Sequence, residues 1–126
     1  MEWTSILNTA HDAVITPGAA HADTVTASIQ LKDYATNNLK VRSNLIAYLS
    51  DVSTGLAITA TVLTTDMTAT TGHLIAIVAK SIYILGSDAS GVIGVTMGYT
   101  TAAHDYFLVV ILPNGKKVVS TKLELT

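Results

Sequence analysis

The 126-residue sequence contains no cysteine, so disulfide staples and thiolate metal sites are both excluded. Charge is scarce: 13% of residues are Asp, Glu, Lys or Arg, against about 25% in ordinary soluble domains. The seven Lys and Arg are scattered, Lys116-Lys117 being the one adjacent pair, and the formal net charge is −2. A nucleic-acid surface needs clustered cations, so that partner class is set aside. Long hydrophobic runs are missing too. "HLIAIVAKSIYIL" carries Lys80 in its middle and "YFLVVILP" ends at Pro113; both fall short of the about 20 apolar residues of a membrane-spanning helix. The opening "MEWTSILNTA" has an acid where a secretory signal is basic, and no long apolar core follows. The expectation is synthesis and folding in a cytoplasm, with no membrane partner. Aromatics make up 6% of the chain and are spread singly, too thinly for a stacking platform or a glycan-binding face.

What is present is apolar and β-branched. Hydrophobic residues make up 49% of the chain and the mean hydropathy is +0.47. With a membrane segment excluded by run length, this points to surface that other protein covers. Threonine is the commonest residue, and Val, Ile and Tyr are plentiful; these types suit a pleated, half-buried surface. In "TVTASIQLKD", Val25, Ala27, Ile29 and Leu31 alternate with polar residues, the period of a strand with one buried face. Asn37 and Asn38 mark a tight reversal, because asparagine tolerates left-handed backbone angles. "LKVRSNLIAYLS" predicts the next strand, "LAITATV" a short one, and "LTTDMTATTG" a polar loop. "HLIAIVA" and "SIYILGS" read as two strands, or as one kinked near Ala79-Lys80. In "VIGVTMGY" the glycines predict a bulge or a close neighbour. "YFLVVIL" and "KKVVSTKLEL" form a hairpin turned at Asn114-Gly115, a pair suited to a type I′ turn. Lys117, Val119, Thr121, Leu123 and Leu125 make its last strand's more apolar face. About seven strands with regular turn signals predict an all-β antiparallel sandwich or barrel. Residues 1–23 stand apart as an N-terminal arm or an extra edge strand, with Trp3, Ile6 and Leu7 as its apolar contacts, and the main domain covers 24–126.

Chemical motifs fail at nameable positions. "LGSDASGVIG" has Gly86 and Gly91 at phosphate-loop spacing, but Val92 and Ile93 stand where Lys and Ser/Thr are needed. Ser87 and Ser90 lack the flanking glycines of a nucleophile elbow. The stretch reads as a turn in which Asp88 accepts backbone hydrogen bonds and Gly91 supplies positive φ. His11, His21, His73 and His104 form no metal-ligand spacing, and the aspartates form no calcium-loop run. No catalytic residue, metal ligand or cofactor is predicted.

"TVTASIQLKD", "AYLSDVSTG", "SDASGVIGV" and "YFLVVILPNGKKVVSTKLEL", in that order, resemble the immunoglobulin-like domains of tailed-bacteriophage structural proteins. Those domains use a D-x-x-G turn to open a strand, here Asp88 to Gly91. The resemblance covers Thr24 to the C-terminus. It departs after "LKD", where the family commonly has a glycine and this chain has Asn37-Asn38. It implies an immunoglobulin-like β-sandwich and a non-enzymatic virion protein, a decoration or cement protein on the capsid exterior. The implied partners are the major capsid protein, other virion proteins or further copies of the chain. A tail or fibre component is the alternative within virions, and a glycan-binding adhesion module is the alternative outside that class.

Overall fold

The computed structural model describes residues 9–18, 23–100 and 103–125; Trp3, Ile6, Leu7 and His21 lie outside the described residues. The strands are β1 (Asp12–Pro17), β2 (Thr24–Lys32), β3 (Asn44–Ser50), β4 (Thr65–Thr71), β5 (His73–Val78), β6 (Ile82–Gly86), β7 (Val92–Gly98), β8 (His104–Ile111), β9 (Lys117–Val119) and β10 (Leu123–Leu125). They make two antiparallel sheets, one ordered β1-β2-β7-β4 and the other β10-β8-β3-β6-β5, with β9 also paired to β8. The fold is therefore an all-β antiparallel sandwich, of ten strands among the described residues rather than about seven. The layout corresponds to the A-B-E-D and G-F-C-C′-C″ sheets of an immunoglobulin variable domain. The chain differs in visiting the three middle positions in reverse order, through β4, β5 and β6.

Period-two alternation builds the core. Val25, Ala27, Ile29 and Leu31 of β2 are buried between exposed or half-buried polar neighbours. They meet Leu45, Ala47 and Leu49 of β3, Tyr83 and Leu85 of β6, and Tyr106, Leu108 and Val110 of β8 across the sandwich. Ile93, Val95 and Met97 complete the inner face of β7. Gly94 sits between them on the outer side, where a Cβ would come within 2.6 Å of Thr70 Oγ1; the close neighbour expected of this strand is β4.

Two open alternatives are resolved and two other local expectations are corrected. Before Thr24, residues 12–17 form an edge strand paired to β2 from Asp12↔Lys32 to Pro17↔Ala27. The polar "TDMTATT" is strand β4, not a loop, because Met67 turns into the core while threonines take the solvent face. "LAITATV" is not a strand but part of the irregular segment between β3 and β4, with Leu56 and Ile58 exposed. "HLIAIVA" and "SIYILGS" are two strands, and Lys80 between them takes φ 70°.

Three turn details differ as well. At the β2–β3 reversal Thr36, not an asparagine, has positive φ. Asp33 Oδ1 accepts the Ala35 and Asn37 amides there, at 2.9 and 3.0 Å. At Asn114-Gly115 only Gly115 is left-handed (φ 86°), and Gly115 N–H donates to Leu112 O at 2.8 Å. Pro113 fixes the φ of a type I turn, so the hairpin is the three-residue form closed by a left-handed glycine rather than type I′. Beyond it the strand breaks at Ser120, whose Oγ accepts Leu108 N–H at 2.9 Å and donates to Thr121 O at 2.7 Å. The break shifts the alternation: Leu123 and Leu125 point inward with Ser120, while Lys117 and Thr121 are exposed.

Candidate interaction surface

The two outer faces of the sandwich differ in chemistry, although the four-stranded sheet also carries the row Val14–Gln30–Val92. On the four-stranded sheet the rows run Thr16–Ser28–Gly94–Thr71 and Thr26–Thr96–Thr68. On the other sheet, register aligns Ile111 with Ile46, Ile46 with Ile84 and Ile84 with Ile75. Four isoleucines thus form one cross-strand row over three strand spacings, about 14–15 Å. Ile46 and Ile75 are 47% and 59% exposed. Three of the four, Ile46, Ile84 and Ile111, line a shallow open depression together with Asn44 and Pro113. β-Branched residues opposite one another pack well across strands, so the row is compatible with the sheet; what is unusual is that, among the described residues, nothing covers Ile46 and Ile75 beyond about half.

The row below is Val109–Tyr48–Ile82–Val78, and half of it is already roofed. The segment after β3 folds back over β3 and β8. A Cβ at Gly55 would lie 2.8 Å from Val109 Cγ2, and Tyr48 Oη donates to Gly55 O. Val109 faces outward yet has 0% exposure for this reason. The roof carries its own apolar exterior, with Leu56 at 79% and Ile58 at 51%. At the far side, β5 is the edge strand, and no described strand pairs with its outer edge. Ile75, Ile77 and Val78 are each half exposed or more.

Polar clusters secure this architecture. His104 Nε2 lies 2.9 Å from Asp51 Oδ1, and Thr59 Oγ1 donates to the same oxygen at 2.6 Å. Burial pushes the Asp51 carboxyl up, but the Thr59, His104 and Ala60 hydrogen bonds outweigh it and hold its pKa below 3.8. Thr59 donates to the acid and not to the imidazole, so the three groups do not form the hydroxyl–imidazole–carboxylate chain of a catalytic triad. The cluster clasps the roof to the start of β8. Asp66 Oδ1 accepts Tyr83 Oη at 2.5 Å and the Met67 and Lys80 amides, joining β4 to the β5–β6 turn. Burial, then the Asp66 carboxylate, push the Tyr83 phenol far above its ordinary value. Among the described residues no group of three or more His, Asp or Glu is placed to hold a metal ion.

The "LGSDASGVIG" stretch is the β6–β7 crossover. Asp88 Oδ1 accepts the Ser90 and Val92 amides at 2.9 and 3.0 Å, and Gly91 has φ 73°. Ser87 Oγ accepts Ser43 N–H at 2.9 Å, tying the crossover to the approach to β3. Its aspartate and the Ser87 hydroxyl are thus occupied in turn geometry. Asn37, Asn38, Asn114 and Gly115 lie at the same end of the sandwich but do not converge with it on a common point.

Sequence reasoning did not single out Ile46, Ile75, Ile84 and Ile111. The available signal was the unbroken apolar character of "IYIL" and "FLVVIL", where one-sided burial would alternate with polar residues. No known family's sequence profile matches the chain, nor does any curated protein or solved structure.

Proposed function

We propose that this chain is a non-enzymatic virion structural protein, a decoration or cement protein that attaches to the exterior of a phage capsid through the isoleucine face of its β8-β3-β6-β5 sheet. The observation that carries the attachment surface is the four-isoleucine row Ile111–Ile46–Ile84–Ile75, partly exposed on one side of a sandwich whose other side is mostly threonine and serine, with Val14 and Val92 its aliphatic members. An apolar patch of this kind on an otherwise soluble domain marks a protein contact. The virion assignment is supported by the resemblance of Thr24 to the C-terminus to phage immunoglobulin-like domains. Trp3, Ile6 and Leu7 are the arm's proposed contribution to the same attachment. Repetition on a symmetric shell lets a modest apolar contact suffice through avidity.

The test is co-sedimentation with undecorated capsids. Wild-type protein pellets with the capsids, whereas Ile46→Glu and Trp3→Ala variants bind less. Protein that remains in the supernatant at every salt concentration overturns the proposal.

A further inference from the structure

We infer that β5 is a self-association edge, which pairs antiparallel with β5 of a second copy and joins two six-stranded sheets across a two-fold axis. Three observations converge on it. The outer edge of β5 is unpaired among the described residues, so its amides and carbonyls are a template for another strand. The residues from Leu74 to Ala79 carry no charge, and the lysine, aspartate or proline that usually blunts an edge is absent there. A single bulge at Ile77 is the only irregularity, and it leaves His73–Ala76 in regular register.

The second copy fits this edge better than a generic partner does. An antiparallel pairing is self-complementary about a two-fold axis, and it sends the two Lys80 side chains to opposite ends of the joint, where they do not repel. A parallel pairing would bring them together. The same symmetry brings Ile75 beside its counterpart, and the four-isoleucine row of each copy becomes one row running across both. The half-exposed Ile75, Ile77 and Val78 are covered in the process. A six-residue edge buries less than the about 1,600 Å² of a standard stable interface, so the dimer is weak, with a dissociation constant between about 1 μM and 1 mM. This inference does not depend on the virion assignment.

Sedimentation equilibrium on the full chain tests it. The wild type shows a monomer–dimer equilibrium. Ile75→Lys and Ile77→Lys raise the dissociation constant about tenfold or more, with unchanged circular dichroism, while Leu56→Lys on the roof leaves it unchanged. Because the chain has no cysteine, single-cysteine variants report orientation. Ile75→Cys, at the two-fold axis, gives a disulfide-linked dimer on oxidation; His73→Cys, at the strand's start, does not. A wild type that is monomeric at about 1 mM overturns the inference, as does a dimer indifferent to both lysine variants. A mass that climbs beyond two copies contradicts the closed two-fold pairing. Efficient crosslinking through His73→Cys contradicts the antiparallel one.

Discussion

Replacing Gly91 by alanine separates two costs that a left-handed glycine carries. Gly91 and Gly115 have similar positive φ, 73° and 86°, so either alanine is held in a conformation that costs about 1–2 kcal/mol. A Cβ at Gly115 meets nothing within 4 Å, whereas one at Gly91 would lie 2.6 Å from Leu39 O and 3.0 Å from Leu39 Cβ. Leu39 cannot easily yield. Its side chain has 0% exposure, and its amide donates to Leu31 O at 2.9 Å, while Leu31 N–H donates to Gly91 O at 2.8 Å. Relieving the clash means weakening both bonds, each worth about 0.5–1.5 kcal/mol. Gly91→Ala therefore loses about 2–5 kcal/mol in total and Gly115→Ala about 1–2. For a chain of this size, those losses lower the thermal midpoint by about 6–25 °C and about 3–10 °C respectively. Urea unfolding of the two variants measures the difference directly. Equal losses would refute the claim that the Asp88–Gly91 turn is locked against the β2–β3 connection.

Lys80 is the converse case, a lysine at φ 70°; Lys80→Gly raises stability by about 0.5–1 kcal/mol after the added unfolded-chain entropy is deducted, measured in the same assay. Tyr83→Phe removes the phenol donor from the Asp66 carboxylate and costs about 1.5–3 kcal/mol, read as a lower urea midpoint at pH 7. The Asp51 carboxyl is held below its ordinary value in the folded state. Its stabilising contribution is present above the unfolded-state value of 3.8 and is lost as pH falls through the lower folded-state value. Asp51→Asn is thus less stable than wild type at pH 7, and the gap closes in acid; a gap that persists unchanged at low pH would contradict the clasp. The double variant Ile46→Thr, Ile84→Thr unfolds within about 1 kcal/mol of wild type, because Ile46 is half exposed and Ile84 is only partly buried; differential scanning calorimetry checks this.

Legibility in the sequence followed the number of faces a strand buries. β2 buries one face, so Val25, Ala27, Ile29 and Leu31 announced it unaided. β4 contributes little more than Met67 to the core, and its threonines, read locally, are indistinguishable from a polar loop. "LAITATV" has strand chemistry, yet Thr59 N–H is taken by Leu49 O at 2.8 Å and the segment serves as cover. The Asn114-Gly115 hairpin was visible, but its turn type depended on Pro113 one position earlier. The isoleucine row was hidden for a different reason. Its members come from positions 46, 75, 84 and 111 and share a face only through the register of four strands. Sequence shows that those segments are apolar on both sides; only pairing shows that the outer sides coincide.

The central claim is that the isoleucine face, and not the threonine face, is the attachment surface. Equilibrium binding to undecorated capsids of two matched double variants tests it most directly. One carries Ile46→Glu and Ile84→Glu on the isoleucine face, and the other carries Thr26→Glu and Thr96→Glu on the opposite face, with folding checked by circular dichroism. The account predicts that the isoleucine-face variant loses binding while the threonine-face variant binds as wild type does. Loss confined to the threonine-face variant would contradict it.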